Sequence, residues 1–91
     1  MVRILLKPFA NFREIIGIRE LEIELKSNAL FELLKHLSEA YDLKDKIFDG
    51  EEIREYVNIS LNGRTISSQS CKETELADGD EVAIFPPVTG G

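Results

Sequence analysis

The sequence predicts an α+β fold in which a mixed sheet of four to five strands carries one main helix on one face. Two observations predict it: short segments in which apolar and polar residues alternate, and one segment whose apolar residues recur at helical spacing. A chain of 91 residues has the size of one domain with a single core. We expect residues 1–85 to form that domain and residues 86–91 to form an extended, flexible tail.

The first two strands are predicted at the start of the chain. Apolar residues alternate over positions 2–6, and again over positions 21–25, where they alternate with glutamates. Pro8 has no N–H to donate, so pairing of the first strand should weaken or end there. Residues 12–16 would form one helical turn before Gly17, and the short link after it predicts that the two strands pair antiparallel.

The main helix is predicted from Ala29 to Tyr41, with Ser27 or Asn28 as its N-cap. One face of this segment is apolar and the other is charged, as in a helix that packs on a sheet. The apolar face comprises Leu30, Leu33, Leu34, Leu37 and Tyr41.

The second half of the chain supplies the remaining strands. Residues 42–55 are rich in charge and predict an irregular excursion or a short extra helix, anchored by Ile47, Phe48 and Ile53. Strands are predicted at 56–61, 64–66 and 81–85, the first two joined by Asn62-Gly63 in a type I′ turn. If the first and last strands are neighbours, they run parallel at the sheet centre, which is the β-grasp, or ubiquitin-like, arrangement.

Charge and hydropathy restrict the partners. The formal net charge of −6 repels phosphate backbones, so we expect no nucleic-acid partner. The charge either favours a partner with a basic face or simply keeps a small domain soluble. No apolar run approaches the roughly 20 residues of a membrane span, and the opening MVRILLKPF lacks the apolar stretch of a secretion signal. We therefore expect a cytoplasmic protein without membrane contact.

The body of the predicted domain offers no evident catalytic group. Cys71 follows a run of polar residues, and Lys72 is a weak activator, so the thiol is either reactive or that of an ordinary loop residue. Asp78, Asp80 and Glu81 lack the spacing of a calcium loop and predict a turn instead. We expect no bound metal and no stably bound cofactor.

The segment FPPVTGG, from Phe85 to Gly91, is the candidate reactive part. Pro86 and Pro87 cannot continue a strand ladder and favour an extended tail of roughly 18 Å at the polyproline rise. Gly90 and Gly91 would deliver a carboxylate without neighbouring Cβ atoms into a narrow channel of a partner. An ionised carboxylate is a poor electrophile, so it must first be activated, for example by adenylation with ATP, before a sulfur or amine nucleophile attacks.

LADGDEVAIFPPVTGG, residues 76–91, resembles the C-terminal signature of MoaD-type proteins, the small subunits of molybdopterin synthase within the ThiS/MoaD group. Phe9-Ala10, Phe12-Arg13-Glu14 and Leu61-Asn62-Gly63 are similar to other parts of that family. Lys7-Pro8, where the family often has an aromatic residue, and Thr89, where it has a smaller one, depart from the pattern. The long charged segment 42–55 is closer to archaeal members and leaves the pathway open.

The resemblance implies a function for the tail. Gly91 would be adenylated by a ubiquitin-activating-like adenylyltransferase, which consumes the ATP, and converted to a thiocarboxylate. The large subunit of molybdopterin synthase would then take the sulfur, so the chain would be a sulfur-donating subunit that is not catalytic alone. Related archaeal members also act as protein modifiers, which join this glycine to lysines of target proteins, and other carriers serve thiamine synthesis or tRNA thiolation.

A docking surface is predicted beside the tail. Ala83 and Phe85 should face away from Val82 and Ile84 on the last strand. If the helix covers the latter pair, Phe85 and a nearby Leu5 leave an apolar patch that binds the partner. Alternatively, a loop covers Phe85 and the patch belongs to the core. The resemblance implies that the partner also binds the tail itself, over Pro86, Pro87, Val88, Thr89 and Gly90.

Overall fold

The computed structural model describes residues 2–50, 52–54, 57–67 and 70–85. Its main sheet has five strands in the order β2-β1-β7-β5-β6, and a separate two-stranded sheet pairs β3 with β4. Among the described residues, the longest helix has 11 residues, too few to cross a membrane. The elements are β1 (Val2–Pro8), α1 (Ala10–Ile16), β2 (Leu21–Leu25), α2 (Leu30–Ala40), α3 (Lys44–Ile47), β3 (Phe48–Asp49), β4 (Glu52–Ile53), β5 (Asn58–Leu61), β6 (Arg64–Ile66) and β7 (Glu81–Phe85).

The first and last strands form the centre of the sheet. β1 and β7 are parallel, with Leu6 opposite Val82 and Pro8 opposite Ile84. β2 pairs antiparallel with the other edge of β1, and β5 pairs antiparallel with β7. β1 ends at Pro8, as the missing N–H predicts. The topology confirms the predicted β-grasp fold.

The core lies between the inner face of the sheet and the helices. The predicted apolar stripe of α2 is buried except for Tyr41, which is partly exposed. Val82 and Ile84 of β7 have no exposed surface, which confirms the predicted inward face of the last strand. The outer face of the sheet carries charged residues of β1 and β2 together with the apolar Leu5, Ala83 and Phe85.

The helix α2 begins differently from the prediction. Its N-cap is Ala29, which makes no side-chain cap, whereas Ser27 Oγ accepts a hydrogen bond from the amide of Ala29 at 3.2 Å. The amide of Leu30 donates instead to the carbonyl of Thr74 at 3.0 Å, and Ala29 forms a bridge with Glu75. The prediction of Ser27 or Asn28 as N-cap is therefore wrong, because a distant segment satisfies the helix end.

The charged excursion after α2 contains both kinds of secondary structure. The short helix α3 fits the prediction, but the hairpin of β3 and β4 was not predicted, since each of its strands has only two residues. Ile47, Phe48 and Ile53 are buried, as expected of the three anchors.

The turn between β5 and β6 confirms the predicted type I′ geometry. Asn62 has a φ of 51° and Gly63 a φ of 87°, and both positions of this turn require positive φ. β5 begins at Asn58; Tyr56, where the strand was predicted to begin, lies outside the described residues.

Candidate docking site at the root of the C-terminal tail

The central strand β7 ends at Phe85. The predicted tail begins at the next residue. The predicted tail residues lie outside the described residues, and their roles remain predictions: Pro86, Pro87, Val88, Thr89, Gly90 and Gly91. The described part of the site is therefore the surface around Phe85.

Phe85 is stacked on Phe9. The ring centroids are 4.5 Å apart and the ring planes differ by 9°. The contact follows from the parallel register, because Pro8 lies opposite Ile84 and the next residues along the two strands therefore meet. The amide of Phe9 also donates to the carbonyl of Ile84 at 3.0 Å. Both rings are half-buried, so they form an apolar surface that is ordered but open to a partner.

Arg13 adds a positive charge beside the aromatic pair. Its Cζ lies 5.4 Å from the centroid of the Phe9 ring, a cation–π contact. Its Nε donates to the carbonyl of Pro8 at 3.4 Å. The guanidinium is therefore held beside the aromatic pair, at the point where β1 turns into α1.

The turn from β1 into α1 depends on a strained residue. Ala10, the first residue of the helix, has a φ of 53°, in the left-handed region that costs a residue with a Cβ about 1 kcal/mol or more. The following amide of Phe12 donates to the carbonyl of Phe9 at 3.1 Å. The backbone on both sides of Phe9 is thus fixed, which holds its ring against Phe85.

Leu5 lies on the same outer face but not beside Phe85. It is opposite Glu81 of β7, so four residues, or about 13 Å of strand, separate it from the level of Phe85. The expectation that Leu5 adjoins Phe85 is wrong, because the parallel register brings Phe9 there instead. Neither predicted alternative describes Phe85 fully: Phe9 covers part of it, and part remains exposed. A role of Leu5 in partner binding remains a prediction.

Phe9 and Arg13 were not among the site residues predicted from the sequence. A usable signal was present, since β1 and β7 were expected to be parallel neighbours, Phe9 follows β1 and Phe85 ends β7. Pairing the two ends would have placed Phe9 opposite Phe85. The position of Arg13 depends on the geometry of α1. The pattern of residues 12–16 predicted only one helical turn there and not its orientation.

Two basic residues of β1 form ion pairs on the outer face of the sheet. Near the site, Lys7 forms ion pairs with Glu81 and with Glu20, the latter at 3.6 Å. The hydrogen bond and charge of Glu81, with a smaller contribution from Glu20, raise the pKa of Lys7 above its ordinary value. At the opposite end of β1, Arg3 pairs with two carboxylates of β2, Glu22 and Glu24, each at 3.6 Å.

Cys71 lies in a turn, as the ordinary-loop alternative predicts, but its burial in the core was not predicted. Its side chain is fully buried, and its Sγ lies 3.4 Å from the carbonyl of Ser67 as a donor. Burial raises the pKa of the thiol to about 11, so it is protonated at neutral pH and unreactive. Cys71 therefore takes no part in the candidate site.

The acidic residues before β7 form the predicted turn. Asp80 accepts hydrogen bonds from the amide of Ala77 at 2.8 Å and from the side chain of Asn62 at 2.9 Å. Asp78 accepts one from the amide of Arg3 at 2.8 Å. These carboxylates thus tie the turn to β1 and to the β5–β6 hairpin. In the part of the chain that the structure describes, no cluster of His, Cys, Asp or Glu could hold a metal ion.

Comparisons with known proteins identify the family. The ThiS family model matches residues 6–91. Small archaeal modifier protein 3 of Haloferax volcanii is 35% identical over 88 residues, which cover 94% of this chain and 96% of that protein. The molybdopterin synthase sulfur carrier subunit of Escherichia coli is 32% identical over 91 residues, which cover 100% of both chains.

A solved structure agrees with the sequence matches. The solution structure of small archaeal modifier protein 1 from Methanosarcina acetivorans has a TM-score of 0.83 to this chain at 36% identity, covering 100% of this chain and 98% of that one. Family match, sequence relatives and fold thus extend over nearly all of the chain. The chain is a MoaD-like member of the ThiS family of ubiquitin-like sulfur carriers.

Proposed function

We propose that this chain is the sulfur carrier subunit of a molybdopterin synthase, and that Gly91 bears the sulfur. The observation that carries the proposal is that the family match continues through residue 91. The alignment with the Escherichia coli sulfur carrier subunit also extends to the end of both chains. The reactive group would be the carboxylate of Gly91, not a side chain of the domain.

The proposed chemistry begins with activation in a partner enzyme. A carboxylate oxygen of Gly91 attacks the α-phosphorus of ATP, and pyrophosphate leaves. The resulting acyl-adenylate is a good electrophile, because AMP is a good leaving group. A hydrosulfide ion supplied by the partner system then attacks the acyl carbon; AMP leaves, a proton is lost, and a thiocarboxylate remains. The adenylyltransferase would bind and consume the ATP in the cytoplasm, and the carrier itself would hold no cofactor.

The described residues support a scaffold role for the domain. Its one thiol is buried and protonated. The aromatic stack of Phe9 and Phe85 offers an ordered apolar surface at the root of the tail. In the proposal, the adenylyltransferase and then the synthase large subunit bind this surface and take Pro86–Gly91 into a channel. A residue with a side chain at position 90 or 91 would fit less well into a narrow channel of the partner.

The test is intact-mass analysis after incubation with the adenylyltransferase, ATP and a sulfur donor. We expect the replacement of one oxygen by one sulfur, located at Gly91 by fragmentation. A variant that lacks Gly90 and Gly91 is the matched control and should gain nothing. If the full chain also incorporates no sulfur, while a known carrier is converted to its thiocarboxylate under the same conditions, the proposal is wrong.

A second candidate function is that of a protein modifier. It is favoured by the 35% identity to small archaeal modifier protein 3 over almost the whole of both chains. In this case the acyl-adenylate, or a thioester made from it, is attacked by a lysine amine of a target protein. Peptide mass spectrometry would then detect target lysines that carry the tail, and deletion of Gly90 and Gly91 would remove them. Because activation is shared, both functions are compatible in one chain.

A further inference from the structure

A groove runs beside the aromatic stack, between α1 and the end of the β1–β2 hairpin. It has a volume of about 490 Å³ and shares Phe9 with the docking site. A partner that holds the tail at Phe85 would therefore lie over or against this groove. Its lining residues are Lys7, Phe9, Arg13, Ile18, Arg19 and Glu20.

Three basic residues line the groove: Lys7, Arg13 and Arg19. Lys7 is already paired with Glu20 and Glu81. Arg13 and Arg19, in contrast, form no ion pair with any carboxylate that the structure describes. Arg13 is also held in place by the Phe9 ring and the Pro8 carbonyl, so its fork is ordered before a partner arrives. A preordered guanidinium favours bidentate binding of a carboxylate.

The groove also contains an exposed apolar side chain, that of Ile18. Ile15 is 41% exposed and Ile18 is 45% exposed, and they are the large apolar residues most exposed in the described ranges. Ile18 lines the groove, whereas Ile15 lies on α1 outside the lining and faces a different side of the helix from Arg13. The groove thus has one exposed apolar side chain next to two arginines.

We propose that this groove binds an acidic segment, containing apolar residues, of the adenylyltransferase that activates the tail. The inference rests on the proposed function, which supplies the need for such an enzyme. Local charge favours this occupant, because Arg13 and Arg19 line the groove and form no ion pair with a described carboxylate. Carboxylates of the segment would pair with Arg13 and Arg19, while its apolar residues would cover Ile18.

The test is reversal of the two free charges, in Arg13→Glu with Arg19→Glu. Lys26→Glu with Lys46→Glu is the matched control, since both cations are exposed, lie outside the groove lining, and change the net charge equally. We expect the groove variant to bind the adenylyltransferase at least about tenfold more weakly, mainly through a slower association rate. The dependence of this rate on salt should also weaken, while the control variant changes little.

The single variant Arg19→Glu tests whether misfolding of the double variant explains its loss of binding. Arg19 is exposed, and its replacement leaves Arg13 and its contact with Phe9 in place. The single variant should show the same loss to a smaller degree, with an unchanged melting temperature. Equal binding by groove and control variants, in a system where the unaltered chain is adenylated, overturns the inference alone. Concentration-dependent self-association that the groove variant abolishes would also overturn it, in favour of a second copy as occupant. Failure of the unaltered chain to be adenylated counts against the proposed function instead.

Discussion

The two faces of β7 carry similar apolar residues but have different surroundings. On the inner face, Val82 and Ile84 have no exposed surface and lie in a core closed by α2. On the outer face, Ala83 and Phe85 look away from the helices, and Phe85 has one stacked neighbour instead of a full shell. One strand of five residues thus serves stability on one side and, in our proposal, recognition on the other. The difference predicts separable effects of mutation.

The largest effect is expected on the inner face. Ile84→Ala should lower the free energy of unfolding by about 3 kcal/mol, because it removes buried methyl groups and leaves a cavity. Urea denaturation followed by circular dichroism measures this loss. Adenylation of the variant that remains folded should be unchanged. If the folded variant reacts poorly, the inner face is not purely structural and the comparison fails.

The next effect concerns Cys71, another member of the core. The unfolded thiol loses its proton near pH 9.0, while the buried thiol keeps it until about pH 11. The unfolded state therefore binds fewer protons in this window, and stability falls by about 1.4 kcal/mol per pH unit as pH rises. Below pH 9.0 the contribution of the buried thiol to the free energy of unfolding is fully present.

Urea denaturation at about pH 8 and about pH 10 checks this expectation. The unaltered chain should lose about 1.4 kcal/mol more than Cys71→Ala over this interval. Equal losses in the two proteins would mean that Cys71 is accessible to water. It would then belong with the exposed residues and not with the core.

A smaller effect on stability, and a specific one on binding, is expected on the outer face. Phe85→Ala should weaken binding to the adenylyltransferase by about 2 kcal/mol, since aromatic anchors dominate interfaces. Its cost in stability should be about 1 kcal/mol. Phe31→Ala is the matched control, because Phe31 is also partly buried and paired with one aromatic ring, Phe48, at 5.6 Å. Calorimetric titration should separate the two variants; equal affinities would argue against the docking site.

The smallest effect separates Leu5 from Phe9. Leu5→Ala should reduce the affinity by less than about 0.5 kcal/mol, as is usual for surface changes away from special features, because it lies about 13 Å of strand from Phe85. Phe9→Ala should reduce it several times more. Side-by-side titration of the two variants decides the extent of the patch. A larger loss for Leu5→Ala would show that the partner covers the whole outer face.

The strands and the main helix could be predicted because their signals are local. Alternation at 21–25 and helical spacing in α2 are each set by which side of one element meets the core. The stack at the tail root could not be read in this way, because it depends on the register of β1 against β7, two strands more than seventy residues apart.

Cys71 and the start of α2 show a related limit. Both depend on the segment before β7, which folds against α2 through the carbonyl of Thr74 and the bridge between Glu75 and Ala29. Polar neighbours in sequence suggested a loop at Cys71, but tertiary contact buries it. For Gly90 and Gly91 the limit is different. Their predicted chemistry rests on the sequence and on the family, because the described residues end at Phe85.

The parallel pairing of β1 with β7 has a mechanical consequence. The start of β1 and the end of β7 lie at opposite ends of the same pair of strands. A force that draws Phe85 away from Val2 along the strands would load the backbone hydrogen bonds between them in shear, all together instead of one by one. An enzyme that pulls on the tail while the start of β1 is held should therefore meet the resistance of all these hydrogen bonds at once.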